Sequence, residues 1–193
     1  MIGKKRSPGS AYYALEFDQD FGVPATLSES DAGSDLKYMQ GQKLSRADSP
    51  VDLRLESDDA LDVYPDFFNA MRAPAASERF VKAFRQAGID NVQWFPTSIY
   101  TPDRVVKGYS VMNLVGRVAC LDEKKSELTV FRRQIARIKS LALDAKKTKG
   151  AKAFRLHEYP ELILVSEEVR PFLEDLSGLI LMPADGWSDE HRF

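Results

Sequence analysis

Apolar and polar positions along the chain repeat one unit twice. Ser77 and Glu78 open a helical pattern in which Phe80, Val81 and Phe84 form one stripe while Lys82, Arg85 and Gln86 fall on other faces. The Ser77 hydroxyl suits an N-cap, because it can accept an orphan backbone N–H. Gly88 suits the position just past the last turn, where a left-handed conformation carries no steric penalty for glycine. A strand-like stretch over residues 91–100 follows, broken by Pro96. Ser166, Glu167 and Glu168 open the second copy, with the stripe Val169, Phe172, Leu173 and Leu176. It stops at Gly178 and passes into the wholly apolar run 179–182, the pattern of a short central strand. Each copy predicts a capped helix feeding a buried strand.

The remaining segments predict strands and loops. Residues 11–17 alternate in part and carry two tyrosines. Residues 51–55 have period two, with Val51, Leu53 and Leu55 on one face and Asp52 and Arg54 on the other. Between them, residues 18–49 are polar and rich in Gly, Ser and Asp, which predicts a long variable loop with one short element near 36–39. Ser57, Asp58 and Asp59 suit either a helix cap or a turn, and residues 64–71 are apolar and aromatic up to Pro74. A long β pattern over 108–121 ends in a turn at 122–126. Residues 128–143 fit two templates: Phe131, Ile135, Ile138 and Leu141 have helical spacing, whereas Leu141 and Leu143 alternate as in a strand. Residues 146–150 form a polar turn, and 153–156 and 162–165 are strands split by Glu158, Tyr159 and Pro160. Strands that do not alternate regularly with helices predict an α+β fold: a mixed, mostly antiparallel sheet with two principal helices packed on it, in a single domain over 1–193.

Composition narrows the class. A chain of 193 residues, 44% hydrophobic and 29% charged, can bury a sizeable core without staples. The single cysteine, Cys120, cannot close an internal disulfide, which suits a reducing compartment. No apolar run approaches the roughly 20 residues of a membrane helix, and acidic residues interrupt the N-terminal region, so a cytoplasmic protein is expected. The net charge of −2 is unevenly spread: residues 1–70 hold 7 basic and 13 acidic side chains, and residues 117–155 hold 12 basic and 4 acidic. That asymmetry suggests charged partners.

Reactive constellations are sparse. The sequence has no P-loop or G-x-G-x-x-G, no C-x-x-C and no H-E-x-x-H, so no nucleotide, cofactor or metal is expected. The histidines are His157 and His191, neither near a nucleophile in sequence. A small hydrolase built on Cys120 with His157 is the enzymatic alternative, and a regulatory or scaffold module is another. Nucleic-acid binding through 117–155 is disfavoured, since only Phe131 and Phe154 interleave the cations. No catalytic residue is assigned.

Several stretches together resemble the bacterial immunity protein family eleven of polymorphic toxin systems. They are residues 77–100; the run Tyr109, Ser110, Val111, Met112, Asn113 leading to Asp122, Glu123, Lys124, Lys125, Ser126; and Ala153, Phe154, Arg155, Leu156 through Val165, Ser166, Glu167, Glu168, Val169 to Ser177, Gly178, Leu179. The resemblance covers about 50–185. It implies a non-enzymatic cytoplasmic protein that binds and neutralises a cognate toxin domain, with specificity carried by exposed loops. An acidic face could mimic a polyanion in a cationic toxin groove. The net charge of the first 70 residues makes Asp58, Asp59, Asp62, Tyr64, Asp66 and Phe67, with Phe68 alongside, the candidate patch. Charge reversal at three of these aspartates is expected to weaken toxin binding about tenfold or more; unchanged affinity would remove the patch from consideration.

Overall fold

In a computed structural model, which describes residues 11–18, 25–27, 35–45, 53–55, 64–70 and 73–192, the chain is built mainly from strands. In chain order these are β1 (Tyr12–Phe17), β2 (Ala25–Leu27), β3 (Leu53–Leu55), β4 (Phe67–Ala70), β5 (Ala73–Ser77), then helix α1 (Glu78–Gln86), β6 (Val92–Tyr100), β7 (Val105–Leu114), β8 (Arg117–Val118), β9 (Glu127–Phe131), β10 (Gln134–Ser140), β11 (Ala153–Leu156), β12 (Ile163–Ser166) and β13 (Leu179–Pro183). A six-stranded sheet has the order β2-β3-β6-β7-β5-β4, a five-stranded sheet the order β13-β1-β12-β11-β8, and β9 and β10 form a separate hairpin. The pairs β3–β6 and β8–β11 are parallel and the other pairs are antiparallel.

The layers follow from which face each strand buries. Along β1, Tyr13 and Leu15 join Ile163 and Val165 of β12 against α1, while Tyr12 and Ala14 turn to the opposite face with Leu164 and Phe154. Both faces are covered, so β1 and β12 are apolar on both sides and show little polar alternation. The first cluster places α1 between the two large sheets: Phe80, Val81, Ala83 and Phe84 meet Phe67, Met112 and Leu114 on one side and the β1–β12 residues on the other. Aromatic rings run continuously through it, with Phe17 stacked on Phe67, Phe67 on Phe80 and Phe80 on Phe84 at centroid separations of 4.8, 4.6 and 4.5 Å. A second cluster covers the other face of the six-stranded sheet through Tyr38, Leu53, Phe68, Phe95, Ile99 and Val111. A third lies under the five-stranded sheet and receives Cys120, Ile138, Leu141 and Trp187.

Helix α1 forms as its sequence dictates. Ser77 Oγ accepts the Phe80 N–H at 3.3 Å, and Ser77 has the extended backbone of an N-cap. The other end closes as a Schellman motif: Ile89 N–H donates to the Phe84 carbonyl, Gly88 N–H donates to that of Arg85, and Gly88 has φ +73°.

Three expectations are corrected. The fold is mostly β, not α+β with two principal helices, because α1 is the one α-helix among the described residues. The predicted second helix breaks at Pro171, which lacks the N–H that would bond Glu167 and whose ring clashes with that carbonyl. Ser166 ends β12, and the segment descends through three-residue turns instead. Val169, Phe172, Leu173 and Leu176 N–H groups donate to the carbonyls of Ser166, Val169, Arg170 and Leu173, with a short 3-10 turn at Arg170–Phe172. Finally, the apparent break at Pro96 does not interrupt β6, which runs on to Tyr100; Pro96 is exposed opposite Ser110, where β7 is the neighbour on one side and β3 reaches only Ile99 and Tyr100.

The ambiguity over 128–143 resolves into a hairpin. Irregularities in the β9–β10 register fall between Ile135 and Arg137 and between Ile138 and Ser140. Each extra residue shifts the strand's alternation by one. Ile135, Ile138 and Leu141 therefore lie three apart and yet all turn towards the third cluster.

The long polar loop is partly anchored. Residues 35–39 form a 3-10 turn, and Gln93 grips Leu44 at both backbone groups, accepting from its N–H at 2.7 Å and donating to its carbonyl at 2.9 Å. Fully buried Asn113 donates to the Gln42 carbonyl at 2.8 Å and to Gln93 Oε1 at 2.9 Å. Arg117 donates to the Met39 carbonyl at 3.0 Å and to Gln40 Oε1 at 2.8 Å. These contacts fix residues 39–44 against β6, β7 and β8.

Candidate partner-binding surface

Half of the acidic patch lies within the described residues, and that half faces inward. Tyr64, Asp66 and Phe67 are buried. Phe67 sits in the aromatic stack of the first cluster. Asp66 is the centre of a polar junction. Its carboxylate accepts from Ser77 Oγ at 2.6 Å, Arg79 Nη1 at 2.9 Å, Ser177 N–H at 3.1 Å and Ser177 Oγ at 3.2 Å. Its own N–H donates to Ser177 Oγ, and its carbonyl accepts from Ser77 N–H. The junction therefore holds the start of α1, the approach to β4 and the approach to β13 in one place. A side chain used this way is part of the frame. Asp58, Asp59 and Asp62 lie outside the described residues.

The Cys120–His157 pair does not form a nucleophile and base. Cys120 is fully buried in the third cluster, and burial, reinforced by the charge of Glu158, pushes its thiol up to about 12. Such a group stays protonated at neutral pH, whereas a reactive cysteine needs a stabilised thiolate. His157 is exposed, and its backbone N–H donates to the Val118 carbonyl. Among the described residues no group of His, Cys, Asp and Glu is arranged to hold a metal ion, and no helix is long and apolar enough to cross a membrane.

The surface element that sequence reasoning missed is the β9–β10 hairpin. Its root is fixed. Ile138 N–H donates to Asp189 Oδ2 at 3.1 Å, Ser126 Oγ accepts from Ala142 N–H at 2.9 Å, and Leu141 exchanges backbone bonds with Gly186 and Trp187. Along the inner face, cover falls off from root to tip: Ile138 is fully buried, Leu128 and Ile135 are half-buried, and Val130, opposite Ile135, is 60% exposed. On the outer face Phe131 is 64% exposed, with the Arg132 guanidinium 5.1 Å from its ring centroid. The two residues of the turn, Arg132 and Arg133, both have positive φ, at 49° and 66°. Four cations, Arg132, Arg133, Arg137 and Lys139, stand against one carboxylate, Glu127, over residues 127–140. The basic composition of 117–155 was the visible signal; the exposure of the tip was not.

These observations define a layered, mostly β protein that pins its polar junctions internally and projects one basic, apolar-tipped ribbon. A family model described as Immunity protein family (Imm11) matches residues 25–186, and the chain belongs to that family. Membership carries an immunity role against toxins and, with it, a toxin as partner in general terms. A comparison with curated proteins gave no match.

Proposed function

We propose that this protein is a non-enzymatic, cytoplasmic immunity protein, acting as a single domain over residues 1–193, which binds and neutralises one cognate toxin domain. The family match over 25–186 carries this reading, since it takes in the whole six-stranded sheet, α1, the hairpin and every strand of the five-stranded sheet except β1. The buried, protonated thiol of Cys120 supports binding rather than turnover. Of the acidic patch, Asp58, Asp59 and Asp62 remain proposed contacts from sequence alone. Tyr64, Asp66 and Phe67 do not, because their side chains are engaged inside the fold.

The test is co-expression with the protein encoded directly upstream, scored for growth and for a co-purifying complex. Rescue of growth together with a stable complex is the expected result. Cys120→Ser should protect as well as the wild type and lose only about 1–2 kcal/mol of stability, the cost of burying a hydroxyl in place of a thiol. A folded Cys120→Ser protein that binds but no longer protects would show that the thiol does chemistry.

A further inference from the structure

We propose that the tip of the β9–β10 hairpin is the toxin-contacting element, and that it enters an apolar groove rimmed by carboxylates on the partner. The inference rests on the toxin-binding reading above and adds to it the contacting element and the partner's chemistry.

Four observations converge. The apolar inner face of the ribbon continues past the edge of the third cluster, so that Val130 has lost the cover Ile138 enjoys. Phe131 is bare on the opposite face, so both faces of the ribbon are apolar at the tip, the shape that fits a groove rather than a flat surface. Exposed aromatic and arginine side chains are the kind of anchor on which interface energy concentrates, and Val130 adds apolar area beside Phe131. The charge around them is one-sided, and neither Arg133 nor Lys139 is ion-paired among the described residues. An acidic rim on the partner would complement it and accelerate association.

The fourth observation is the turn. A two-residue hairpin turn with positive φ at both central positions favours Asn followed by Gly, because other residues crowd their own backbone there. Here both positions are arginine. Both arginines are exposed, the Arg132 guanidinium meets only the equally exposed Phe131 ring among the described residues, and the turn carries the strain of holding them. Strain kept at a surface tip is expected where the side chains serve something outside the fold. The rigid root means that little ordering is left to do on binding.

This predicts opposite effects of one change on stability and affinity. R132N combined with R133G restores the preferred turn chemistry, so the melting temperature should rise by a few degrees. Affinity for the protein encoded directly upstream, measured by titration calorimetry with both full chains, should fall about tenfold or more. Phe131→Ser, at a position the core does not use, should leave the melting temperature unchanged and weaken the complex by a similar factor. Added salt should weaken the wild-type complex more than that of the double variant. If the wild type binds the upstream protein and both variants bind it equally well, the hairpin inference is wrong and the toxin-binding reading stands. If the wild type forms no complex, both fall. If the variants lose retention on single-stranded DNA while the protein complex is unchanged, the ribbon is a nucleic-acid element and the proposal is overturned.

Discussion

Gly178→Ala is expected to destabilise the protein by about 3–5 kcal/mol and to lower its melting temperature by roughly 10 °C or more. Gly178 has φ +79°, where an L side chain costs about 1–2 kcal/mol. A Cβ there would also stand 2.2 Å from the Phe67 carbonyl oxygen and 2.4 Å from Pro65 Cβ. Neither neighbour is the free end of a flexible side chain. Phe67 N–H donates to the Ser177 carbonyl, and the Gly178 carbonyl accepts from Asp18 N–H, so the strap before β13 is tied to β4 and to the end of β1. Relief would have to move one of these backbones. Gly186→Ala is the control: its φ is +78°, yet nothing lies within 4 Å of the added carbon. That variant should show only the conformational penalty, about 1–2 kcal/mol. Urea unfolding of the two variants beside the wild type separates the terms, and equal losses would mean that the close approach to Phe67 is relieved at little cost.

How much of this was legible in the sequence depended on distance along the chain. Helix α1 was readable because its cap, its stripe and its stop all lie between Ser77 and Gly88, so local chemistry decides it. The stripe Val169, Phe172, Leu173 and Leu176 has the period of a helix but encloses Pro171, and one missing N–H outweighs a favourable period. At 128–143 the period could not decide between helix and strand, because two register irregularities give a strand the three-residue spacing of a helix. Pro74, which looked like the end of an apolar run, lies within β5. It sits opposite Asn69 at the part of that strand which β7, pairing only with Ala75, Ala76 and Ser77, does not reach.

The candidate site was less legible, for a related reason. In sequence, Asp66 belongs to an acidic run and reads as surface charge. Its burial is decided by Ser177, 111 residues away. Ser77 and Ser177, drawn from the two apparent repeats, meet at that one carboxylate, a convergence no periodicity could disclose. The basic hairpin gave the opposite difficulty. Its charge was visible as composition, whereas the exposure of Val130 and Phe131 and the strained turn are properties of the folded ribbon alone.

Asp66→Asn should cost about 2–4 kcal/mol, and most of that loss should not come from the ion pair. The carboxylate accepts from four donor groups, and an amide offers one oxygen in place of two and turns an N–H₂ towards the others. Arg79 is 66% exposed, so its guanidinium can turn to water when the partner is lost, and a pair this accessible contributes at most about 1 kcal/mol. The Ser177 N–H and the Ser77 hydroxyl are held where they are by the chain and use different carboxylate oxygens, so one of them loses its acceptor whichever way the amide turns. Loosening Ser77 also weakens the cap it supplies to Phe80 N–H, which couples the junction to α1. The order of effects is thus Asp66→Asn well above Arg79→Ala, with Ser77→Ala between them at about 1–2 kcal/mol. Denaturant midpoints of the three single variants test this order. If Arg79→Ala is as damaging as Asp66→Asn, the exposed ion pair holds the junction and the neutral donors do not.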